Sequence, residues 1–333
     1  MASQGLPVPA PFHSRHTSLI GSNTWSYLRA RPSSKPKGTV LLLHGFPSLP
    51  YDWRYQVSLF TSLGYQVIAP YMLGYGYTSS PSEVAEFSFK RQSDDLASLL
   101  DQLVPSEQVI LGGHDWGGDL VWRFAIYHPR LFKAIFSITF PYIPPSLNYT
   151  DLADRIAAGE LRMFGYQLQM RDPSTDRKIQ SARQIRRFLV GAYGGATPEG
   201  ERAFSPCSGM DFALLPRLRP SPLLDGVELD RHVAEYTRHG FRGPLNWYRT
   251  ARINYEDELP IAEEEEGGGH RFTMPALFVQ ALRDDILVPE LAVGMERHFE
   301  RLTRVDVDTA HWAMIEGPEE VNEAIRGWLE TLE

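Results

Sequence analysis

Short apolar runs alternate with amphipathic stretches up to about residue 140 of this 333-residue chain. The apolar runs predict strands, and the solid run Thr39-Val-Leu-Leu-Leu43 is typical of a strand buried on both faces. The amphipathic stretches predict helices between the strands. Because strands that alternate with helices form parallel sheets, the pattern predicts an α/β fold with a mostly parallel sheet flanked by helices. The strands are predicted at residues 25–29, 39–43, 65–69, 108–112 and 134–139, and the helices at residues 55–63, 87–103 and 117–127.

The pattern changes near Pro141, where charged helical segments with Pro and Gly breaks begin. They end in an acidic run at residues 263–266, which we interpret as a solvated linker. Alternation then resumes, with strands predicted at residues 276–280 and 304–308 and helices at residues 290–302 and 318–332. We therefore predict an α/β core of residues 1–145 and 271–333, interrupted by an inserted helical cap domain at residues 146–270.

The charge and cysteine content exclude several classes of function. Lys and Arg number 33 against 41 Asp and Glu, a net charge of −8, so no broad positive field is available to bind nucleic acid. The single cysteine, Cys207, excludes an intramolecular disulfide and a cysteine-based metal cluster. The sequence shows neither a secretory-signal pattern nor an apolar run of about 18 residues. We predict a cytoplasmic protein with no membrane span, and no feature indicates an oligomer.

The sequence Gly112-Gly-His-Asp-Trp-Gly-Gly118 lies between a predicted buried strand and a predicted helix. A nucleophile flanked by small residues at this junction occupies a sharp turn that exposes its side chain above the sheet. The residue in that position is Asp115. A carboxylate attacks an electrophilic carbon and leaves an alkyl ester, so its substrates are epoxides or alkyl halides, whereas acyl esters require Ser. The alternative is that Asp115 only caps the following helix.

Two further groups are predicted to meet Asp115. After the strand at residues 39–43 comes His44-Gly-Phe-Pro47, and the backbone N–H of Phe46 can form an oxyanion hole with that of Trp116. His44 itself is interpreted as a structural residue. The expected general base is His311, which follows the last predicted strand, because ligands bind beyond the carboxyl ends of parallel strands.

The acid that orients His311 should follow the strand at residues 276–280, where the sequence offers Asp284 and Asp285. The position of the strand leaves the choice between these two carboxylates open. Two other histidines, His128 and His298, are predicted to be surface residues, whereas His114 should point away from the nucleophile.

Four motifs resemble those of epoxide hydrolases with the α/β-hydrolase fold, particularly the soluble and fungal branch. They are HGFP at residues 44–47, GHDWGG at residues 113–118, DDILVP at residues 284–289 and HW at residues 311–312. The resemblance covers nearly the whole chain and favours Asp284 over Asp285 as the orienting acid. It also implies two cap tyrosines that donate hydrogen bonds to the epoxide oxygen. The stretch at residues 242–249 assigns one of them to Tyr248, and Phe164-Gly-Tyr-Gln-Leu168 assigns the other to Tyr166.

The resemblance implies hydrolysis of a small-molecule epoxide to a diol, with water as second substrate and no metal or organic cofactor. It further implies a role in detoxification. The main alternative is a dehalogenase that uses the same Asp115, and a non-catalytic small-molecule receptor is the other. Aromatic and apolar residues are predicted either to line the substrate cavity or to pack in the core: Phe46, Trp116, Tyr142, Met163 and Trp312.

Overall fold

A sheet of eight strands forms the centre of the computed structural model, which describes residues 6–224, 226–264 and 270–332. The strands follow the order β1-β2-β4-β3-β5-β6-β9-β10 and are parallel except at β1 and β2. Two short strands, β7 and β8, form a separate hairpin. The strands are β1 (Ser14–Ile20), β2 (Asn23–Ala30), β3 (Gly38–Leu43), β4 (Tyr65–Pro70), β5 (Val109–His114), β6 (Phe132–Ile138), β7 (Phe204–Ser205), β8 (Gly209–Met210), β9 (Ala276–Ala281) and β10 (Leu302–Val307).

Helices cover both faces of the sheet and fill the long connection between β6 and β9. No helix in the described ranges is both long and apolar enough to cross a bilayer. The helices are α1 (Arg54–Ser62), α2 (Phe89–Leu103), α3 (Trp116–Tyr127), α4 (Leu152–Ala157), α5 (Gly165–Arg171), α6 (Pro173–Lys178), α7 (Ala182–Ala192), α8 (Gly226–Tyr236), α9 (Arg242–Asn246), α10 (Ala251–Glu264), α11 (Ala313–Glu316) and α12 (Pro318–Glu330).

The predicted α/β fold is confirmed, and the central strands are buried on both faces as their composition indicates. All residues of β5 and β9 are buried. Parallel strands in this arrangement bring the loops after β3, β5, β9 and β10 to one edge of the sheet. The predicted site residues of the core lie on these loops.

The connection between β6 and β9 contains α4 to α10 and the β7–β8 hairpin, and we call it the helical insertion. A buried carboxylate joins it to the core. Asp52, which is fully buried, accepts hydrogen bonds from the core residue Ser48 at 2.8 Å and from Tyr193 of the insertion at 2.7 Å. His232 of the insertion contacts the same carboxylate through Nε2, at 3.3 Å from Oδ2. We refer to these four residues as the Asp52 cluster.

The structure contains one strand that was not predicted, and it shows that one predicted helix is wrong. Strand β1 was not predicted, because its burial pattern shows mostly exposed and half-buried residues rather than an apolar run. The helix predicted at residues 290–302 is wrong: two 3-10 turns, Pro289–Ala292 and Met295–His298, occupy this segment. Gly294 separates them with a φ of +82°, which a continuing α-helix does not allow.

The predicted linker at residues 263–266 is described only in part. Glu263 and Glu264 belong to α10, whereas residues 265 and 266 lie outside the described residues.

Candidate active site

Asp115 occupies a sharp turn between β5 and α3. Its backbone has φ 55° and ψ −127°, a left-handed conformation that is strained for a residue with a side chain. The turn requires small neighbours, because a Cβ on Gly113 would lie 2.2 Å from the Gly117 carbonyl oxygen. A Cβ on Gly117 would lie 2.3 Å from the Leu43 carbonyl oxygen. This close packing holds the carboxylate above the sheet edge, as the sequence predicts.

Two backbone N–H groups meet at the Asp115 carboxylate. The N–H of Phe46 donates to Oδ1 at 2.8 Å, and the N–H of Trp116 donates to the same carboxylate. Gly45 makes this approach possible, because a Cβ there would lie 2.2 Å from Oδ1. The two donors predicted to form an oxyanion hole therefore both bind this carboxylate, and Oδ2 is left to face His311.

His311 lies between two carboxylates. Its Nδ1 donates to Asp284 Oδ2 at 2.8 Å, and its Nε2 lies 3.7 Å from Asp115 Oδ2. The N–H groups of Ile286 and Leu287 donate to the other oxygen of Asp284, at 2.9 and 3.0 Å. The residue that orients the imidazole is thus Asp284, which is buried, whereas its neighbour Asp285 is exposed.

The charges of these three groups depend on one another. Burial lowers the pKa of His311, but Asp284 and Asp115 outweigh it and raise the pKa to about 9. Burial raises the pKa of the Asp115 carboxyl above its ordinary value, although His311 and the two N–H donors oppose this shift. Burial alone would raise the pKa of Asp284, but His311 and the two N–H donors outweigh it and lower this pKa below its ordinary value. In the resting site a protonated imidazole therefore faces the Asp115 carboxyl group.

This raised pKa predicts how stability changes with pH. A histidine whose pKa rises from 6.5 unfolded to about 9 folded adds stability that is complete below pH 6.5 and is lost as the pH rises through 9. The loss amounts to about 3 kcal/mol. We expect urea unfolding of the wild type to show this decrease between pH 6.5 and 9.5, and the decrease to be absent in His311→Gln. Parallel pH profiles for the two proteins would contradict the shift.

Tyr166 and Tyr248 reach the site from the helical insertion. Tyr166 lies on α5 and Tyr248 on the 3-10 turn Trp247–Arg249, and both are buried. Their ring centroids are 5.9 Å apart, and both residues line the cavity that Asp115 and His311 share. Burial, together with the nearby Asp115 charge, raises the pKa of both phenols. Each hydroxyl therefore keeps its proton and can donate it in a hydrogen bond.

The shared cavity has a volume of about 310 Å³. Its wall is mainly apolar and aromatic beyond the reacting groups, and this wall includes Phe46, Met170, Phe188, Met210, Leu223 and Trp312. Trp312 stacks on Tyr193 of the Asp52 cluster, with ring centroids 4.1 Å apart and planes inclined by 8°. A cavity of this size and lining suits a small apolar substrate.

The structure places three predicted lining residues outside this cavity. Tyr142 is buried in a core cluster, with its ring centroid 5.0 Å from that of Phe272. Met163 packs against the core from a 3-10 turn of the insertion. The Trp116 side chain packs behind Tyr248, at 5.1 Å between centroids, and lines a neighbouring cavity. For these side chains core packing is the better interpretation, whereas Phe46 and Trp312 do line the cavity.

Two histidine predictions also need comment. His298 is buried, not at the surface, and its ring lies 5.1 Å from that of Tyr142. His114 is not directed away from all the catalytic groups: its Nε2 donates to the backbone carbonyl of His311 at 2.8 Å. Burial lowers the pKa of His114 to about 3, so this side chain is a neutral donor that supports the His311 loop.

Sequence reasoning missed two residues at the site. Tyr193, at the end of α7, lines the cavity and donates to the buried Asp52. Glu316, at the end of α11, lines the cavity and accepts from backbone N–H groups beside His311. The available signal was weak: Glu316 follows His311 by five positions, a spacing that alone does not specify a function.

Comparison with known proteins agrees with this geometry. A family model for the alpha/beta hydrolase fold matches residues 38–177. The chain is 43% identical to an epoxide hydrolase of Neurospora crassa, srdG, over 99% of both chains. It is 31% identical to mouse bifunctional epoxide hydrolase 2 over 88% of this chain, but spans only 51% of that relative. Epoxide hydrolase A of Mycobacterium thermoresistibile has a crystal structure that matches with a TM-score of 0.75 and 31% identity, covering 96% of this chain and 99% of that one. The chain therefore belongs to the epoxide hydrolases of the α/β-hydrolase fold.

Proposed function

We propose that this enzyme hydrolyses a small apolar epoxide to a vicinal diol through a covalent ester on Asp115. The observation that carries the proposal is the arrangement around one cavity: a buried carboxylate bound by two N–H groups, an imidazole 3.7 Å from its free oxygen, and two protonated phenols. A carboxylate needs an electrophilic carbon, and phenols can stabilise the oxygen that leaves it.

In the first step, Asp115 Oδ2 attacks one epoxide carbon and the carbon–oxygen bond of the ring breaks. The electron pair of that bond moves to the ring oxygen, which receives hydrogen bonds from the Tyr166 and Tyr248 hydroxyls and then a proton from one of them, leaving that phenol as a phenolate. Their raised pKa values suit this role, because each phenol carries its proton until the stronger base forms. The product of this step is a hydroxyalkyl ester of Asp115.

In the second step, His311 Nε2 takes a proton from water, and the water oxygen attacks the carboxyl carbon of the ester. The negative oxygen that forms is stabilised by the Phe46 N–H, which holds Oδ1 at rest, and by the Trp116 N–H, which binds the same carboxylate. The bond between the carboxyl carbon and the alkyl oxygen then breaks. The leaving oxygen receives the proton from His311, and the diol is released. The Asp115 carboxylic acid that remains gives its proton to His311, which restores the carboxylate and the protonated imidazole.

The two steps need different charge states of His311, and ester formation can supply the change. Alkylation converts Asp115 from an anion into a neutral ester, which removes one of the two carboxylates that raise the pKa of His311. The pKa of His311 should therefore fall when the ester forms. The proton that His311 gives up, directly or through water, converts the phenolate of the first step back to a phenol. A base that is protonated at rest thus becomes available for the hydrolytic step.

We also propose that the helical insertion acts as a cap domain, with the domain bounds predicted from the sequence. Tyr166 and Tyr248 support this role because they reach Asp115 from the insertion. The cytoplasmic location and the role in detoxification stay predictions.

The dehalogenase alternative requires donors for a leaving halide in place of phenols. The indole N–H of Trp116 is buried beside Tyr248 and interacts with its hydroxyl. Trp116 also lines a different cavity from Asp115 and His311, which favours the epoxide reaction.

The test is to incubate the purified enzyme with styrene oxide, aliphatic epoxides, 1-chlorobutane and 1-bromobutane, and to measure diol and halide release. We expect diol from at least one class of epoxide and no halide. Halide release without diol would instead support the dehalogenase. No product from any substrate would count against both activities and in favour of a receptor.

The two tyrosines should act on the first step alone. We expect Tyr166→Phe and Tyr248→Phe each to slow ester formation by roughly a hundredfold, and the double variant to be slower still, because each removes one donor to the leaving oxygen. Hydrolysis of ester already formed should not change. Rapid-quench mass spectrometry separates the two rates. The control is Tyr255→Phe, at a half-buried position on α10 outside the cavity that Asp115 and His311 share. If the Phe variants changed only KM, the tyrosines would bind substrate without stabilising the oxygen.

A further inference from the structure

Glu316 binds the polypeptide on both sides of His311. Its Oε2 accepts from the N–H of Ala310 at 3.0 Å, and its Oε1 accepts from the N–H of Trp312 at 3.0 Å. A single carboxylate therefore spans the two peptide groups that flank the proposed base. None of the steps proposed above uses this side chain, although it lines the same cavity.

We propose that Glu316 is a positioning residue for the hydrolytic step, which it serves by holding His311 at the correct distance and angle from the Asp115 ester. This assignment rests on the proposed function. Glu316 acts on His311 through the backbone, because its two oxygens bind amides and not the imidazole.

The loop that carries His311 needs such a support. It connects β10 to the single-turn helix α11, so the regular hydrogen bonds of sheet and helix do not fix His311 itself. Hydrogen bonds from N–H groups to a carboxylate are stronger than those to a neutral acceptor. Two of them to one rigid group fix the peptide planes before and after His311, and with them the direction of its Cα–Cβ bond.

Other contacts complete the restraint of this residue. His114 donates to the carbonyl of His311 at 2.8 Å, and Asp284 accepts from its Nδ1 at 2.8 Å. Asp284 thus sets the rotation of the ring, whereas Glu316 and His114 set the backbone from which the ring extends. With Glu316 removed, Asp284 still binds the imidazole, but the loop that positions the pair is free to shift.

The expected effect is specific to one step. Ester formation requires Asp115 and the two phenols, and the base is used only when water attacks the ester. A displaced base should therefore leave alkylation intact and slow hydrolysis. A purely structural role would instead lower both rates together, through a smaller folded fraction.

The experiment compares the wild type with Glu316→Ala, Glu316→Gln and the control Glu319→Ala, which alters an exposed carboxylate in the first turn of α12. The probe is an epoxide that the wild type hydrolyses, used with enzyme in excess and quenched at intervals. Intact-mass spectrometry measures the ester, and chromatography measures the diol. Thermal melts by circular dichroism measure the folded fraction of each protein.

We expect Glu316→Ala to form ester at the wild-type rate and to hydrolyse it on the order of a hundredfold more slowly, the size of effect that a small misplacement of a reacting group produces. Glu316→Gln should be intermediate, because its amide oxygen can still accept from one of the two N–H groups. Glu316→Gln replaces Glu316→Ala in the test if the alanine variant does not fold.

Two results would overturn the assignment. One is that folded Glu316→Ala hydrolyses the ester at the wild-type rate. If the alanine variant does not fold, the same result for folded Glu316→Gln overturns the assignment. The other is an equal decrease of both rates. A wild type that forms neither ester nor diol from any epoxide would overturn the proposed function, and this assignment with it.

Discussion

Replacement of Asp115 by Ala is expected to abolish diol formation, with a loss on the order of 10⁴-fold or more, because removing a covalent nucleophile leaves only binding and the remaining polar groups. The same change should stabilise the fold. Burial disfavours the charge of the Asp115 carboxylate, and this cost disappears in the variant. The backbone strain remains, because alanine also carries a Cβ. An inactive protein with a higher Tm would therefore identify the residue as one that serves the reaction at the expense of stability.

The measurement combines initial rates of diol release with thermal melts. Asp101→Ala is the matched control, since Asp101 is an exposed residue near the end of α2. The control should retain both the rate and the Tm of the wild type. Residual turnover of Asp115→Ala above a few per cent would show that another group can form the intermediate, or that water attacks the epoxide directly.

His311→Gln is expected to stop the enzyme after one turnover. Alkylation should proceed, but the ester should persist, because no base remains to activate water, and steady-state turnover should fall by roughly 10³-fold. One equivalent of substrate should then add to the protein, and peptide mapping should place the mass on Asp115. The wild type should show little adduct under the same conditions.

The His311 variant should also change the pH dependence of alkylation. The cation of His311 lowers the pKa of Asp115 in the resting site, so without it the nucleophile should ionise only at a higher pH. His128→Gln provides the control, since His128 binds Asp94 outside the cavity. The absence of an adduct at every pH would show that His311 is needed for the first step, contrary to the proposed sequence.

The sequence permitted prediction of the sheet because its central strands are solid apolar runs. Asp115, His311 and the pair Asp284 and Asp285 could be placed together for a related reason, since all follow strands whose carboxyl ends meet at one edge. The choice of Asp284 came from the family resemblance, because strand position does not separate two adjacent residues. Strand β1 escaped prediction because much of its surface faces solvent. The break at Gly294 was overlooked because an amphipathic pattern does not report a positive φ.

Side-chain surroundings were less predictable than strand positions. For Tyr142 and Met163 the sequence left cavity lining and core packing open, and the packing of neighbouring segments decides for the core. Tyr193 and Glu316 were missed for a different reason. Their importance lies in hydrogen bonds to distant or backbone partners, which a linear sequence does not display.

The Asp52 cluster limits how freely parts of this enzyme can be exchanged with those of its relatives. One carboxylate binds core and insertion together, next to the loop that supplies the Phe46 N–H. A chimera whose foreign insertion lacks counterparts of Tyr193 and His232 would leave the buried Asp52 anion without its two partners from the insertion. An exchange of the insertion between members of this family should therefore transfer residues 48 and 52 of the core as well. The segment that has to be exchanged is then larger than the insertion itself.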